Sequence, residues 1–266
     1  MSQPRVLLLT GYGINCEEET AFAFSRCGAR CRIIHVNDLI ADPAQLRRDQ
    51  IFVVPGGFSY GDDTGSGNAL ANKMRHTLWE ELMNFVAGDR LVLGICNGFQ
   101  VLVNLGLLPA LDGRYGERQT ALIPNVSARY ECRWVELQVV GGKSVFLRGL
   151  ERLALPVAHG EGRFYAPDEV LRRLQRHGNM ALIYVDEHGR PAGGRFPWNP
   201  NGSVLDIAGI ADDSGRVLGM MPHPERALLA SHLPAWPDRT AQASAPRWDE
   251  PGPGLAIFQN AVDYFS

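Results

Sequence analysis

Leu91-Val92-Leu93-Gly94-Ile95-Cys96-Asn97-Gly98-Phe99-Gln100 is the stretch on which the fold of this chain turns. An apolar strand runs into Gly-x-Cys-x-Gly and on into a helical pattern carried by Phe99, Val101, Leu102 and Leu105. A strand, a tight turn and a helix with cysteine at the apex form the cysteine version of a nucleophile elbow. Gly94 and Gly98 are small because backbone from neighbouring elements passes close to them. The helix that follows aims its N-terminal N–H groups and positive dipole end at the sulfur, which suits a nucleophile. Taken alone, the motif fits a buried structural cysteine equally well, so its partners decide.

Outward from the elbow, the same strand-then-helix texture repeats. Short β-branched or leucine-rich runs at residues 6–10, 30–36 and 51–54 alternate with helical periodicity at 17–27 and 69–87. In the second helix Leu70, Met74, Leu78, Leu82 and Phe85 share one face. That alternation predicts an α/β fold, a mostly parallel sheet covered on both faces. Asn15 is the expected N-cap of the first helix, with Glu18 closing a capping box. After Asn104 longer strand-like segments at 134–140, 153–159 and 181–186 are expected to extend the same sheet, partly antiparallel. Residues 232–254 hold Pro234, Pro237, Pro246, Pro251 and Pro253 and read as an irregular loop before a final helix over 255–265. Trp236 and Trp248 in that loop either fold back on the chain or anchor an interface. No linker divides the chain, so residues 1–266 are expected to form one domain.

Composition narrows the function classes. The 266 residues carry Lys+Arg 26 against Asp+Glu 29, a net charge of -3 that argues against a phosphate-neutralising nucleic-acid binder. Hydrophobic residues make up 45%, enough for a sizeable core. Five cysteines, an odd number in a long chain, fit a reducing compartment rather than a disulfide framework. With no signal peptide pattern and no membrane-spanning apolar run, the expectation is a soluble cytoplasmic enzyme without nucleic-acid or membrane partners.

The elbow has two partners in the sequence. Val217–Met221 reads as a strand ending in Pro222-His223-Pro224-Glu225-Arg226. Two prolines hold His223 in a rigid turn. Glu225, two residues on, can accept from one ring nitrogen while the other faces a thiol. That is the nucleophile–base–orienter order needed for covalent catalysis. Ile51–Val54 runs into Pro55-Gly56-Gly57-Phe58-Ser59-Tyr60-Gly61-Asp62. A Gly-Gly turn at the carboxyl end of a strand can offer a bare N–H to an oxyanion, with the Asn97 N–H as second donor. It can also cradle a phosphate, but no G-x-x-x-x-G-K-[ST] is present. The Gly141-Gly142-Lys143-Ser144 run has Leu137 where that motif needs glycine. Cys27, Cys31 and His35 have a spacing that suggests zinc, yet Gly28 and Ala29 mark a helix end between the two cysteines, which favours a helix–turn–strand core.

These pieces, PGG, GICNGFQ and PHPE in that order, resemble the class I (triad) glutamine amidotransferases. More narrowly, the chain is similar to the glutaminase components of phosphoribosylformylglycinamidine synthase. The resemblance rests on GxNCExE (Gly13 to Glu19), PGGFSYGD (Pro55–Asp62), GICNGFQ (Gly94–Gln100) and NxSxRYE (Asn125–Glu131). AHGEGRF (Ala158–Phe164), NPNGS (Asn199–Ser203) and MMPHPER (Met220–Arg226) complete it. It implies a single amidotransferase domain with a flavodoxin-like sheet. It also implies Cys96 as nucleophile, His223 and Glu225 as the rest of the triad, and Gly57 in the oxyanion hole. Gln100 would help hold glutamine, and His159, Gly160 and Glu161 would contact its amino-acid end. The implied activity is hydrolysis of L-glutamine, with ammonia passed to an ATP-dependent synthetase subunit in purine biosynthesis. A small bridging subunit is a further partner that the resemblance brings in. No cofactor is implied in this chain; ATP and magnesium belong to the partner. Two departures stand out: Asp63-Thr64-Gly65-Ser66-Gly67-Asn68-Ala69 differs from the family pattern, and the proline-rich loop is long. A non-catalytic scaffold, or an amidotransferase serving another acceptor, are the competing readings. The intact Cys96, His223 and Glu225 weigh against the first, and the HGEG and NPNGS motifs against the second.

Overall fold

The computed structural model describes residues 3–234, 236 and 247–266. One nine-stranded sheet organises it. Its first half is parallel: β1 (Arg5–Thr10), β2 (Arg30–His35), β3 (Ile51–Val54), β4 (Leu91–Ile95) and β11 (Val217–Met220). Every residue of β3, β4 and β11 is buried, as parallel strands covered on both faces require. The covering helices include α1 (Glu17–Arg26), α3 (Asn68–Thr77), α4 (Trp79–Ala87) and α5 (Asn97–Leu105), after a short α2 (Val36–Ala41).

The second half is antiparallel, as the texture after Asn104 predicts. β6 (Glu131–Val139) pairs with β7 (Arg152–His159) and with β9 (Met180–Val185). β10 (Ile207–Ala211) joins the halves, antiparallel to β9 on one side and to β11 on the other. The full order is therefore β2-β1-β3-β4-β11-β10-β9-β6-β7. Local patterning does not announce β10; its run Ile-Ala-Gly-Ile-Ala is too rich in small residues to stand out as a strand. A separate two-stranded sheet pairs β5 (Ala121–Pro124) with β8 (Glu161–Tyr165). Helix α6 (Asp168–His177) precedes β9 and helix α7 (Leu255–Asp263) closes the chain.

Two expectations need correction. The helix expected over 69–87 is two helices, because the backbone of Leu78 leaves helical geometry at φ -123° and ψ 0°. Leu78 stays buried all the same, so the apolar stripe runs unbroken through the change of direction and periodicity does not register it. The residue that caps α1 is Cys16, with no side-chain cap. Asn15 Oδ1 takes the Cys16 thiol at 3.3 Å instead, and the helix start relies on Glu17, Glu18 and Glu19 against its dipole. Much of the irregular loop expected over 232–254, with Pro237 and Pro246, lies outside the described residues. Of its tryptophans, Trp236 is half-buried and Trp248 is exposed. No helix among the described residues is long and apolar enough to cross a membrane.

Candidate active site

Three neighbouring parallel strands deliver three chemical groups to one edge of the sheet. β3 and β4 run in register with Val54 beside Gly94, and β4 and β11 with Ile95 beside Met220. Their carboxyl ends therefore place the Gly56-Gly57 turn, Cys96 and His223 side by side. Cys96 sits at φ 51° and ψ -108°, a conformation that residues with side chains rarely adopt. Its N–H is tied to Met220 O at 2.8 Å, and the thiol reaches Ala158 O at 3.7 Å. The two elbow glycines are dictated by contact: a Cβ on Gly98 would lie 1.8 Å from Val54 O, and one on Gly94 would lie 2.7 Å from Gly98 O.

His223 is fixed through its backbone, whose N–H donates to Pro156 O at 2.8 Å. Its Nδ1 lies 2.5 Å from Glu225 Oε1, and both side chains are buried. Nε2 is buried and has no hydrogen-bond partner among the described residues. Burial works against a charged ring, but the Glu225 carboxylate and the nearby Cys96 and Cys16 thiols outweigh it and raise the His223 pKa well above the ordinary histidine value. Gly56 has no room for a side chain between these groups. A Cβ there would lie 2.9 Å from His223 Cε1, 3.2 Å from Cys16 Sγ and 3.5 Å from Cys96 Cβ.

Gly57 needs to be glycine for its φ of 146° and because a Cβ would lie 2.4 Å from Gly13 O. Around it the turn is clamped by Phe58 N–H to Gly13 O at 2.7 Å and Asn15 N–H to Gly56 O at 3.2 Å. Asn97 opens α5, where the first backbone N–H groups have no partner inside the helix. Its buried side chain takes the Ser59 N–H at 3.1 Å and donates to Gln100 Oε1 at 2.9 Å. Gln100 in turn donates to the backbone carbonyl of Glu161. A small cleft is lined by Gly57, Cys96, Gln100, Gly160 and Glu161 together with Asp62. Residues singled out for separate reasons in the sequence thus share one wall.

Two groups depart from simple expectation. His159 borders the cleft, and its ring is packed into a buried polar network. Nδ1 meets Asn125 Oδ1 at 3.1 Å, Nε2 faces Asn201 Nδ2 at 3.5 Å, and Asn201 also donates to Gly162 O at 2.8 Å. This network, which fixes β8 beneath the cleft, is what the NxSxRYE and NPNGS segments build; their motifs alone do not reveal that role. The divergent segment 63–69 lies against the cleft too. Ser66 N–H donates to Glu161 Oε2 at 3.1 Å, and a Cβ on Gly67 would lie 2.8 Å from Val101 N. Cys27 and Cys31 fall on different elements, at the end of α1 and in β2.

Burial, then the charge of His223, pushes the His159 pKa down to about 3 from 6.5. A depressed histidine stays neutral in the native state while the unfolded chain takes up the proton, so stability is lost as pH falls below about 6.5. Each pH unit in that window is expected to cost ~1.4 kcal/mol through this one group. Denaturant midpoints at neutral pH and about two units lower should show the slope, and His159→Gln should flatten it. A slope unchanged in that variant would assign the acid lability elsewhere.

The profile of the CobB/CobQ-like glutamine amidotransferase domain matches residues 3–265. The phosphoribosylformylglycinamidine synthase subunit PurQ of Methanococcus maripaludis is 48% identical, over 99% of this chain and 98% of that protein. The protein of the same name from Dehalococcoides mccartyi is 44% identical, again over 99% of this chain and 98% of that one. Among solved structures, a chain of PurLQS from Thermotoga maritima aligns over 100% of both chains with a TM-score of 0.70 and 28% identity.

Proposed function

This chain belongs to the CobB/CobQ-like glutamine amidotransferase family, alongside the PurQ subunits of phosphoribosylformylglycinamidine synthase, and we propose that it releases ammonia from L-glutamine through Cys96, His223 and Glu225. The observation that carries this reading is the convergence at the ends of β3, β4 and β11. A cysteine at a strained turn stands beside a buried imidazole that has one nitrogen held by a carboxylate and the other free among the described residues.

In residue terms, His223 Nε2 takes the proton from Cys96 Sγ, and the sulfur attacks the side-chain amide carbon of glutamine. Charge on the amide oxygen is met by the N–H groups of Gly57 and Asn97; one such donor is typically worth ~10²–10³ in rate. As the C–N bond breaks, His223 returns the proton to the leaving ammonia. Water then adds to the glutamyl thioester, giving its proton to His223, and glutamate leaves as Cys96 regains its hydrogen. Glu225 stabilises the imidazolium in both halves. Gln100, Gly160 and Glu161 line the space for the amino-acid end of glutamine, while His159 supports β8 from behind. Ammonia released to water is mostly protonated and poorly nucleophilic, which favours direct handover to an ATP-dependent synthetase subunit. ATP and magnesium act on that partner, and this chain needs no cofactor for the hydrolysis.

The test is reconstitution with the ATP-dependent synthetase of phosphoribosylformylglycinamidine synthase. Glutamine-dependent synthesis with one glutamate released per product is the expected result. Glutamate release that drives synthesis only with a different acceptor enzyme would move the chain to a sister amidotransferase. Binding to the synthetase with no glutamate release would leave it a scaffold.

A further inference from the structure

Cys16 is no member of the proposed triad, yet its buried sulfur stands beside it. Cys16 Sγ lies within 4.8 Å of both a His223 ring nitrogen and a Glu225 carboxylate oxygen. Arg226 Nη2 donates to that sulfur at 3.1 Å. This is an unusual choice of acceptor. A guanidinium pairs best with a carboxylate, which it can grip with two parallel N–H groups. Glu225 is the adjacent residue, its charge reaches the Arg226 guanidinium, and its Oε2 is buried with no hydrogen-bond partner among the described residues. The arginine nevertheless turns to sulfur on one side and to Glu19 on the other, with Nε 3.9 Å from Glu19 Oε1.

Cys16 is well anchored for such a task. Its N–H donates to Gly56 O at 3.3 Å, and its carbonyl accepts from the Thr20 hydroxyl at 2.5 Å. The sulfur therefore stays at a set place between Arg226 and the imidazole–carboxylate pair. If Arg226 reached Glu225, it would draw that carboxylate from His223 Nδ1 and neutralise the charge that steadies the imidazolium.

We propose that Cys16 is a positioning residue whose sulfur occupies Arg226 and keeps the guanidinium off Glu225, leaving that carboxylate to His223. The proposal rests on the triad reading. The two fail differently, because glutamine turnover surviving in Cys96→Ala would remove the triad, whatever Cys16 does.

The experiment is a double-mutant cycle in the complex reconstituted with the synthetase subunit. Cys16→Ala is expected to lower kcat for glutamine about tenfold, a fraction of the ~10⁴ that loss of an orienter can cost. KM for glutamine and ammonia-dependent synthesis should stay unchanged. Arg226→Gln alone should be close to wild type, and Cys16→Ala combined with Arg226→Gln should recover most of the lost kcat. Losses that add in the double variant, or full kcat in Cys16→Ala, would overturn the proposal. Should Cys16→Ala fold poorly, Cys16→Val removes the acceptor while keeping the volume and gives the same decision. That variant should lose kcat about tenfold and recover most of it when combined with Arg226→Gln, and full kcat in Cys16→Val alone would count against the acceptor role.

Discussion

Replacing Cys96 with alanine is expected to abolish glutamine-dependent synthesis by the assembled complex and to leave ammonia-dependent synthesis nearly intact. Only the covalent step needs the sulfur; once ammonia is supplied, the synthetase works without it. Removing the base should be almost as severe, because nucleophile and base act as one unit. In comparable triads either loss costs ~10⁶ in kcat, whereas loss of the orienter costs ~10⁴. His223→Ala should therefore exceed Glu225→Ala by about two orders of magnitude. The 2.5 Å contact between Nδ1 and Glu225 Oε1 is the geometric ground for that ranking. Rates of glutamate release and of product formation, measured in parallel for the three variants, check it. Glutamine-driven turnover surviving in Cys96→Ala would remove Cys96 from the mechanism. Equal losses in the other two would contradict the division between base and orienter.

Gly98→Ala is expected to damage the fold more than any substitution of a triad side chain. The new methyl would lie 1.8 Å from Val54 O and 2.6 Å from Val54 C, both backbone atoms of β3. No flexible side chain is there to yield, so α5 and β3 must part. Forced overpacking of this kind typically costs 1–3 kcal/mol and sometimes more, and ~3 kcal/mol is expected here. Activity should fall as well, because the spacing between α5 and β3 sets the Gly57 turn against Cys96. Thermal unfolding and the glutaminase assay read the two effects separately. Gly160 is the contrast: a Cβ there meets nothing within 4 Å, and Gly160→Ala should leave the melting temperature unchanged. A Gly98→Ala chain that melts like wild type would show that the elbow can relax at little cost.

Much of the site is legible in local sequence. Gly94, Cys96 and Gly98 form one continuous turn, and His223 and Glu225 are two residues apart, so each half of the chemistry is a short-range pattern. The strands of the parallel half are legible for a related reason. Strands buried on both faces must be apolar throughout, and β3, β4 and β11 are. The break at Leu78 and the existence of β10 are not. Side-chain periodicity records which face is buried, and it is silent about a one-residue change of backbone direction or a strand made of small residues.

By itself, then, the order of residues determined the elbow, the imidazole–carboxylate pair, the glycine turn and the α/β class, because each depends on neighbours within about ten positions or on a repeating pattern. Tertiary structure decided what those pieces do together. Strand order places β3 and β11 on either side of β4, and only that brings residues 57, 96 and 223 to one edge. It also turns the His159 ring into the Asn125 and Asn201 network and sets Cys16, 210 positions before Arg226, against its guanidinium. Contacts between residues so far apart in the chain arise when packing selects one arrangement of the strands, and no local propensity encodes that choice.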